Sequence, residues 1–226
     1  MSFEKKLALL NGIYRIYDEF IAAQAIACKR RCATCCTGNV TLTTLEGYGI
    51  LSSLTADQES ALLAAFRQPS TTRGFQPTLT TNQIASMCLA EIEIPDESPN
   101  EAGSCPLLGN QECSIYSVRP FACRCMVSKH ACEDTGYADM DEFVLTVNNL
   151  FLQYIEHIDR PGMTGSLSDV IRFLKSNRYR HVYFSGELSE SLPPLIANRA
   201  IPALMIPPRH RERIQPILAA LKDVLG

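Results

Sequence analysis

The sequence predicts a mainly helical protein with few short strands, in which helices wrap a compact, irregular core held together by cysteines. Three observations predict this fold. Apolar side chains recur at helical spacing in several segments, turn-forming residues separate those segments, and nine of the ten cysteines fall into two dense groups. With 226 residues, a single domain spanning 1–226 is the expected organisation. Within it we expect a cysteine-rich core over 28–132 and a helical part over 138–226.

The helical periodicity is clearest from Ala138 to Ile158. Its predicted buried side consists of Phe143, Val147, Leu150, Phe151, Tyr154 and Ile158. Similar spacing predicts further helices over 3–27, 166–176 and 209–225.

Two helix starts are marked by local chemistry. Thr43 is followed three residues later by Glu46, and Thr55 by Gln58, which is the pattern of a capping box. We therefore expect a helix to begin after each threonine.

The remaining segments are less regular. Turn formers predict surface loops over 69–82 and 95–103. The segment IASMCLAEIEI between them fits either a helix or a strand, and NRYRHVYF around Val182 is the best candidate for a short strand.

Composition narrows the class of protein. The net charge of −3, with 46% hydrophobic and 20% charged residues, is that of an ordinary globular protein and predicts neither a nucleic-acid nor a membrane partner. The first twenty residues are interrupted by charges, and no apolar stretch approaches the roughly 18 residues of a membrane span. We therefore expect a cytoplasmic protein, in which clustered cysteines bind metal more often than they form disulfides.

The first cysteine group is compact. Cys28, Cys32, Cys35 and Cys36 form a C-x3-C-x2-C-C motif directly after the first predicted helix. Such spacing lets a loop wrap around one metal centre. Because adjacent cysteines cannot easily point at one tetrahedral ion, either Cys35 or Cys36 serves a second metal or packs as a thiol.

The second group contains Cys105, Cys113, Cys123 and Cys125, with Cys132 a little further on. Together the two groups supply enough thiolates for one or two complete sites, and we expect them to lie side by side in the fold. The sequence leaves Cys125 as either a ligand or a bystander. Cys88 stands alone in an apolar segment, and we expect it to pack as a small hydrophobic side chain.

At these residues the sequence resembles the YkgJ family of cysteine-cluster proteins, also described as a zinc- or iron-chelating domain. The resemblance spans about residues 28–132. It rests on the four cysteines of the first motif and on a second motif made of Cys105-Pro106-Leu107-Leu108, Cys113, Ile115-Tyr116, Arg119-Pro120 and Cys123-Arg124. The resemblance implies a bound metal, and it adds Cys132 as the eighth ligand. The predicted ligands are therefore Cys28, Cys32, Cys35, Cys36, Cys105, Cys113, Cys123 and Cys132.

Other polar residues near the cysteines have two interpretations. Arg119 and Arg124 could offset thiolate charge or bind an anionic cofactor or substrate, or they could pair with an acid such as Glu112 or Glu133. His130 is the one histidine close to a cysteine group, where it would be either a further ligand or solvated.

The sequence leaves two functions open. The first is a protein that holds zinc or an iron–sulfur cluster, with the metal ion as its partner and a protein partner left open. The second is an enzyme acting with S-adenosylmethionine, because the family includes flagellin lysine N-methylases and Cys28, Cys32 and Cys35 reproduce the spacing of radical enzymes. The loop follows a helix and no glycine-rich nucleotide turn is present, so we expect metal binding without tight binding or cleavage of S-adenosylmethionine.

Overall fold

Helices dominate the computed structural model, which describes residues 2–67, 74–97, 102–188 and 192–226. The helices are α1 (Phe3–Ala22), α2 (Thr44–Ser53), α3 (Ala56–Ala65), α4 (Thr81–Leu89), α5 (Phe121–Arg124), α6 (Cys132–Thr135), α7 (Glu142–Ile158), α8 (Leu167–Lys175), α9 (Asn177–Ser185) and α10 (Gln215–Leu225). The strands are β1 (Thr41–Thr43), β2 (Leu108–Gly109), β3 (Glu112–Cys113), β4 (Met163–Ser166) and β5 (Ile196–Ala197). This composition confirms the predicted fold class.

Capping boxes begin three of the helices. Thr43 with Glu46 starts α2 and Thr55 with Gln58 starts α3, as predicted, and Thr80 makes the same reciprocal bonds with its partner three residues on to start α4. Each box satisfies two backbone N–H groups that the first helical turn would leave unpaired. The segment IASMCLAEIEI, which fitted either a helix or a strand, is therefore helical as far as Leu89.

The predicted loops fall partly outside the described residues. Their described portions, 74–80, 95–97 and 102–103, contain neither helix nor strand, whereas α4 begins at Thr81, inside the first predicted loop. Pro77 and the other turn formers explain the irregular backbone before the helix.

The strand predicted around Val182 is wrong, because this segment forms α9. Its aromatic residues suggested a strand, but Tyr179 and Tyr183 are four residues apart and so share one face of a helix. Tyr179 stacks on Phe173 of α8, with ring centroids 5.3 Å apart, and Tyr183 is buried. Packing against α8 therefore decides the conformation.

A small antiparallel sheet joins the two halves of the chain, with strand order β1-β4-β5. Between β1 and β4, Thr41 pairs with Ser166 and Leu42 with Gly165. Strand β1 leads directly into α2, and β4 leads directly into α8. The two helices pack closely. A Cβ added at Gly47 would lie 2.6 Å from Val170 Cγ1, so a larger side chain here would separate α2 from α8.

Among the residues that the structure describes, buried apolar side chains form two clusters. One lies around the sheet and α8 and includes Leu42, Ile50, Val170 and Leu174. The other joins α1, α7 and α10, with members including Ile13, Tyr17, Phe121, Val147, Phe151 and Leu221. The predicted inner face of α7 is confirmed except at Tyr154, which is half-buried. In the described part of the chain, none of the helices combines the length and apolar character needed to cross a membrane.

The Asp159 carboxylate, at the end of α7, is a fully buried junction between elements. Its Oδ2 accepts hydrogen bonds from Thr44 Oγ1 (2.7 Å), the Leu45 N–H (2.9 Å) and Asn198 Nδ2 (3.0 Å), and its Oδ1 accepts from the Tyr183 hydroxyl (2.5 Å). Burial raises the pKa of Asp159 to about 6, while these donors act in the opposite direction. Because its two oxygens accept from these four donors, the side chain joins α2, α7 and α9.

Replacing this carboxylate by an amide should destabilise the protein. In Asp159→Asn an NH2 group faces donors in place of an acceptor oxygen, so we expect the free energy of unfolding to fall by about 2–4 kcal/mol at pH 7. Urea denaturation followed by circular dichroism measures this. The same substitution at exposed Asp223 is the control, and equal stability of the two variants would contradict the assigned role of Asp159.

Candidate metal centre

The first cysteine segment is an irregular surface loop between α1 and β1. No residue from 18 to 41 is buried, and local turns shape the loop, with the Cys32 N–H bonded to the Lys29 carbonyl and the Cys36 N–H to the Ala33 carbonyl, both at 3.0 Å. At its start, the Ala27 N–H donates to the Ser128 carbonyl at 2.8 Å. This bond places Cys28 beside the segment that leads to Cys132.

The second segment is more regular. Cys113 lies on the β2–β3 hairpin, opposite Leu108, and the hairpin closes through Asn110 and Gln111, which have φ angles of 50° and 62°. Positive φ at both central residues is typical of a tight two-residue hairpin turn. A 3-10 turn (Tyr116–Val118) then leads into α5, which carries Cys123.

The two segments lie against each other, as expected from the sequence. The Cys105 N–H donates to the Cys36 carbonyl at 2.9 Å, and the Gly38 N–H donates to the Gly103 carbonyl at 3.0 Å. Glu112 on the hairpin also lies 3.1 Å from both Arg30 and Arg31 of the first loop. Residues far apart in sequence thus form one continuous cysteine surface.

Neighbouring thiols fall into two groups of four. Cys36, Cys105, Cys113 and Cys123 form what we call the core group. The Cys105 N–H donates to the Cys36 carbonyl, and the Cys105 carbonyl accepts from Leu108, which pairs with Cys113 across the hairpin. Cys123 on α5 is close enough to Cys105 and Cys113 for thiolate charges there to raise its pKa, after the larger effect of burial. Cys28, Cys32, Cys35 and Cys132 form the loop group, since Cys28 feels Cys32 and Cys132, and Cys35 feels Cys28 and Cys32. Cys36 connects the two groups, because its thiol is hydrogen-bonded to that of Cys35 and is also close to Cys32.

The sulfurs are neighbours without forming a finished coordination sphere. In the described ranges, no group of three or more His, Cys, Asp or Glu side chains has the arrangement of a metal site. All ten cysteines are free thiols.

Five of these thiols are hard to ionise without a cation, because burial raises the pKa of each, namely Cys28, Cys35, Cys36, Cys105 and Cys123. Burial, followed by the charges of neighbouring thiols, raises the pKa of Cys35 to about 11 and raises the pKa of Cys123 further. The backbone N–H groups of Ser128 and Leu107 act in the opposite direction on Cys28 and Cys105, because they donate toward the sulfurs. The donor set therefore fits a metal cation, whose charge would offset the mutual repulsion of the thiolates.

Comparison with protein families matches residues 27–143 to the CxxCxxCC family, described as "Putative zinc- or iron-chelating domain". The match covers just over half of the chain and contains all eight predicted ligands. The chain belongs to the CxxCxxCC family. Three residues separate Cys28 from Cys32 here, against two in the motif that names the family. Searches of the curated proteins and of the solved structures find no match.

Two cysteines lie outside both groups. Cys125, inside the CxxCxxCC match, is buried in the α1–α7–α10 cluster, and its thiol contacts the Ala122 carbonyl at 3.5 Å, so it packs as a bystander. Cys88 is exposed on α4, which corrects the expectation that it packs in the interior. The apolar residues around it gave no indication of which helix face would be covered.

The two arginines expected near the ligands have other contacts. Arg124 Nη1 lies 3.0 Å from Asp18 Oδ2, and its Nε donates to the Arg119 carbonyl, so it binds α1 to the turn before α5. The acid that pairs with Arg124 is therefore Asp18, and not Glu112 or Glu133 as the sequence suggested. Arg119 lies over the ring of Tyr116, 4.0 Å from its centroid. Their predicted role in cofactor binding remains a prediction.

His130 lies near the loop group but pairs with an acid. Its Nδ1 is 2.9 Å from Asp139 Oδ2. Both residues line an open cavity of about 360 Å³, together with 24–26, Val127–Lys129, Met140, Asp141, Val144 and Arg213. Residues 24–26 end two positions before Cys28, and none of the cysteines that the structure describes lines the cavity.

Glu46 is a positioning residue that the sequence motif revealed only in part. As expected for a capping box, its Oε2 accepts from the Thr43 N–H at 2.8 Å. Its Oε1 also accepts from the Tyr14 hydroxyl and from the Phe121 N–H, both at 2.8 Å. The buried carboxylate thus fixes the start of α5, two residues before Cys123, against α1 and α2.

Removing one acceptor oxygen should therefore loosen this part of the CxxCxxCC domain. In Glu46→Gln the new NH2 group must face either the Thr43 N–H or the Phe121 N–H, and we expect the free energy of unfolding to fall by about 1–3 kcal/mol. Chemical denaturation tests this, with exposed Glu19→Gln as the control. A Glu46→Gln protein as stable as the control would show that the carboxylate is not needed to hold α5.

Proposed function

We propose that this chain binds zinc or iron through eight cysteine thiolates. The proposed ligands are Cys28, Cys32, Cys35, Cys36, Cys105, Cys113, Cys123 and Cys132. The observation that carries the proposal is that two distant segments bring these thiols into neighbouring groups of four, linked by the hydrogen bond from Cys105 N–H to the Cys36 carbonyl. Membership of a chelating family supports the same function.

The donor set suits both metals. Four thiolates complete the tetrahedral coordination of a structural Zn²⁺ and equally hold an iron–sulfur cluster. The N–H groups of Ser128 and Leu107 that point at Cys28 and Cys105 would stabilise bound thiolates in either case. Eight thiolates in two groups are enough for two ions or two clusters.

Anaerobic purification distinguishes the metals. Elemental analysis, visible absorption and an assay for acid-labile sulfide are made on the same sample. A brown protein containing sulfide has iron–sulfur clusters, whereas a colourless protein containing zinc has Zn²⁺–thiolate sites. A protein that contains no metal, even after anaerobic reconstitution with each metal, would overturn the proposal.

We also propose that residues 1–226 form one domain. Helix α1 precedes the CxxCxxCC match and α10 lies after it, yet both pack in one apolar cluster with Phe121, from inside the match. The cluster draws on all three parts of the chain, and Phe151 of the C-terminal part stacks on Phe121 of α5, the helix that carries Cys123.

Replacing a proposed ligand should reduce metal content and stability together, because metal binding is coupled to folding. We expect Cys32→Ser and Cys123→Ser each to lose bound metal and to melt at a lower temperature. For Cys123→Ser the decrease should be roughly 4–8 °C, which corresponds to about 2 kcal/mol for a chain of this length, and for Cys32→Ser it should be smaller. Elemental analysis and thermal denaturation measure both effects. Exposed Cys88→Ser is the matched control, and equal metal loss in all three variants would contradict the ligand assignment.

A further inference from the structure

We propose that the core group and the loop group are two separate metal sites with unequal roles. The core group holds a structural metal that stays with the folded chain, and the loop group holds a second metal that exchanges with solvent. This division rests on the proposed metal-binding function and assigns each site its own role.

The core group is fixed to the interior at three points. Cys105 lies two residues from Leu107, Cys113 two residues from Ile115, and Cys123 two residues from Phe121. These three apolar side chains are fully or almost fully buried. Since these side chains are embedded, the cysteines beside them are held in place before any metal arrives.

Further contacts complete this anchoring. Cys105 and Cys113 themselves pack against the apolar cluster around the sheet. The Phe121 N–H is bonded to the buried Glu46 carboxylate, and the Cys36 carbonyl accepts from the Cys105 N–H. All four cysteines of the core group are therefore held by helices or strands, or by hydrogen bonds to one another.

The loop group has no comparable anchoring. Three of its members share the 18–41 segment with Cys36, and no residue of that segment is buried. The Cys36 carbonyl is bonded to the Cys105 N–H, whereas Cys35 is exposed. The fourth, Cys132, begins the single-turn helix α6, and the nearest buried residue before it is Ser128. The bond from the Ala27 N–H to the Ser128 carbonyl connects the two halves of this group.

Unequal anchoring leads to unequal metal retention. A metal that binds the core group meets ligands whose backbone is already ordered, whereas a metal in the loop group must also hold a surface loop that gains little from burial. Cys35 is exposed, which gives a chelator access to the loop group. The loop-group metal should therefore leave first.

Chelator titration of the full-length protein, reconstituted anaerobically with Zn²⁺ alone, tests this division. We expect about two Zn²⁺ per chain, with EDTA removing the first at least roughly tenfold faster than the second. Hydrogen exchange after the first loss should rise over 24–35 and 127–136 and remain slow over 105–125. Release of both Zn²⁺ ions in one step would overturn the inference. So would hydrogen exchange that becomes faster over 105–125 before it does so elsewhere.

Paired variants give an independent measurement. Cys132→Ser should retain one Zn²⁺ and a folded core, whereas Cys113→Ser should lose the slowly released Zn²⁺ and much of the thermal stability. Equal effects of the two substitutions would contradict unequal roles. If Cys113→Ser fails to fold, the titration of the unsubstituted protein still decides. A protein that binds no Zn²⁺ at all would instead refute the proposed metal-binding function.

Discussion

Two buried carboxylates meet at the N-terminus of α2, and the rest of the structure depends on this junction. Glu46 accepts the Thr43 N–H, while Asp159 accepts the Leu45 N–H and the Thr44 hydroxyl. Both acids satisfy donors that the first helical turn cannot satisfy itself, and negative charge is favoured at this end of a helix. Each acid then uses its other oxygen to bind distant elements, Glu46 to α1 and α5, and Asp159 to Tyr183 of α9.

This junction also explains where the metal centre lies. The first cysteine loop runs from the end of α1 to the start of β1, and β1 leads directly into α2. The second segment reaches the same place because the start of α5 is bonded to Glu46. The cysteines are therefore arranged by buried oxygens and backbone N–H groups of the scaffold, and the thiols themselves lie nearer the surface.

How much of this could be read from the sequence depended on the range of the interactions. The starts of α2 and α3 were predictable because a capping box acts over three residues, and the cysteine groups were visible because their members are close together in the chain. The strand predicted at α9 was wrong because the packing of Tyr179 on Phe173 decided the conformation. The partner of Arg124 was missed because Asp18 lies more than 100 residues away. The division of the thiols into two groups also depended on distant contacts, such as the bond from the Cys105 N–H to the Cys36 carbonyl.

Under the proposed division, the peptide bond between Cys35 and Cys36 couples the two sites. Consecutive Cα atoms are about 3.8 Å apart, so binding the Cys36 sulfur in the core group fixes the position of Cys35 to within a few ångströms. The loop then has less conformational freedom to lose when a second metal binds, which favours that binding. Coupling between binding sites is reciprocal, so a metal in the loop group would in turn favour the core site. An adjacent cysteine pair thus does more than add a ligand to each site, because it makes the order of the surface loop depend on the metal held by the interior.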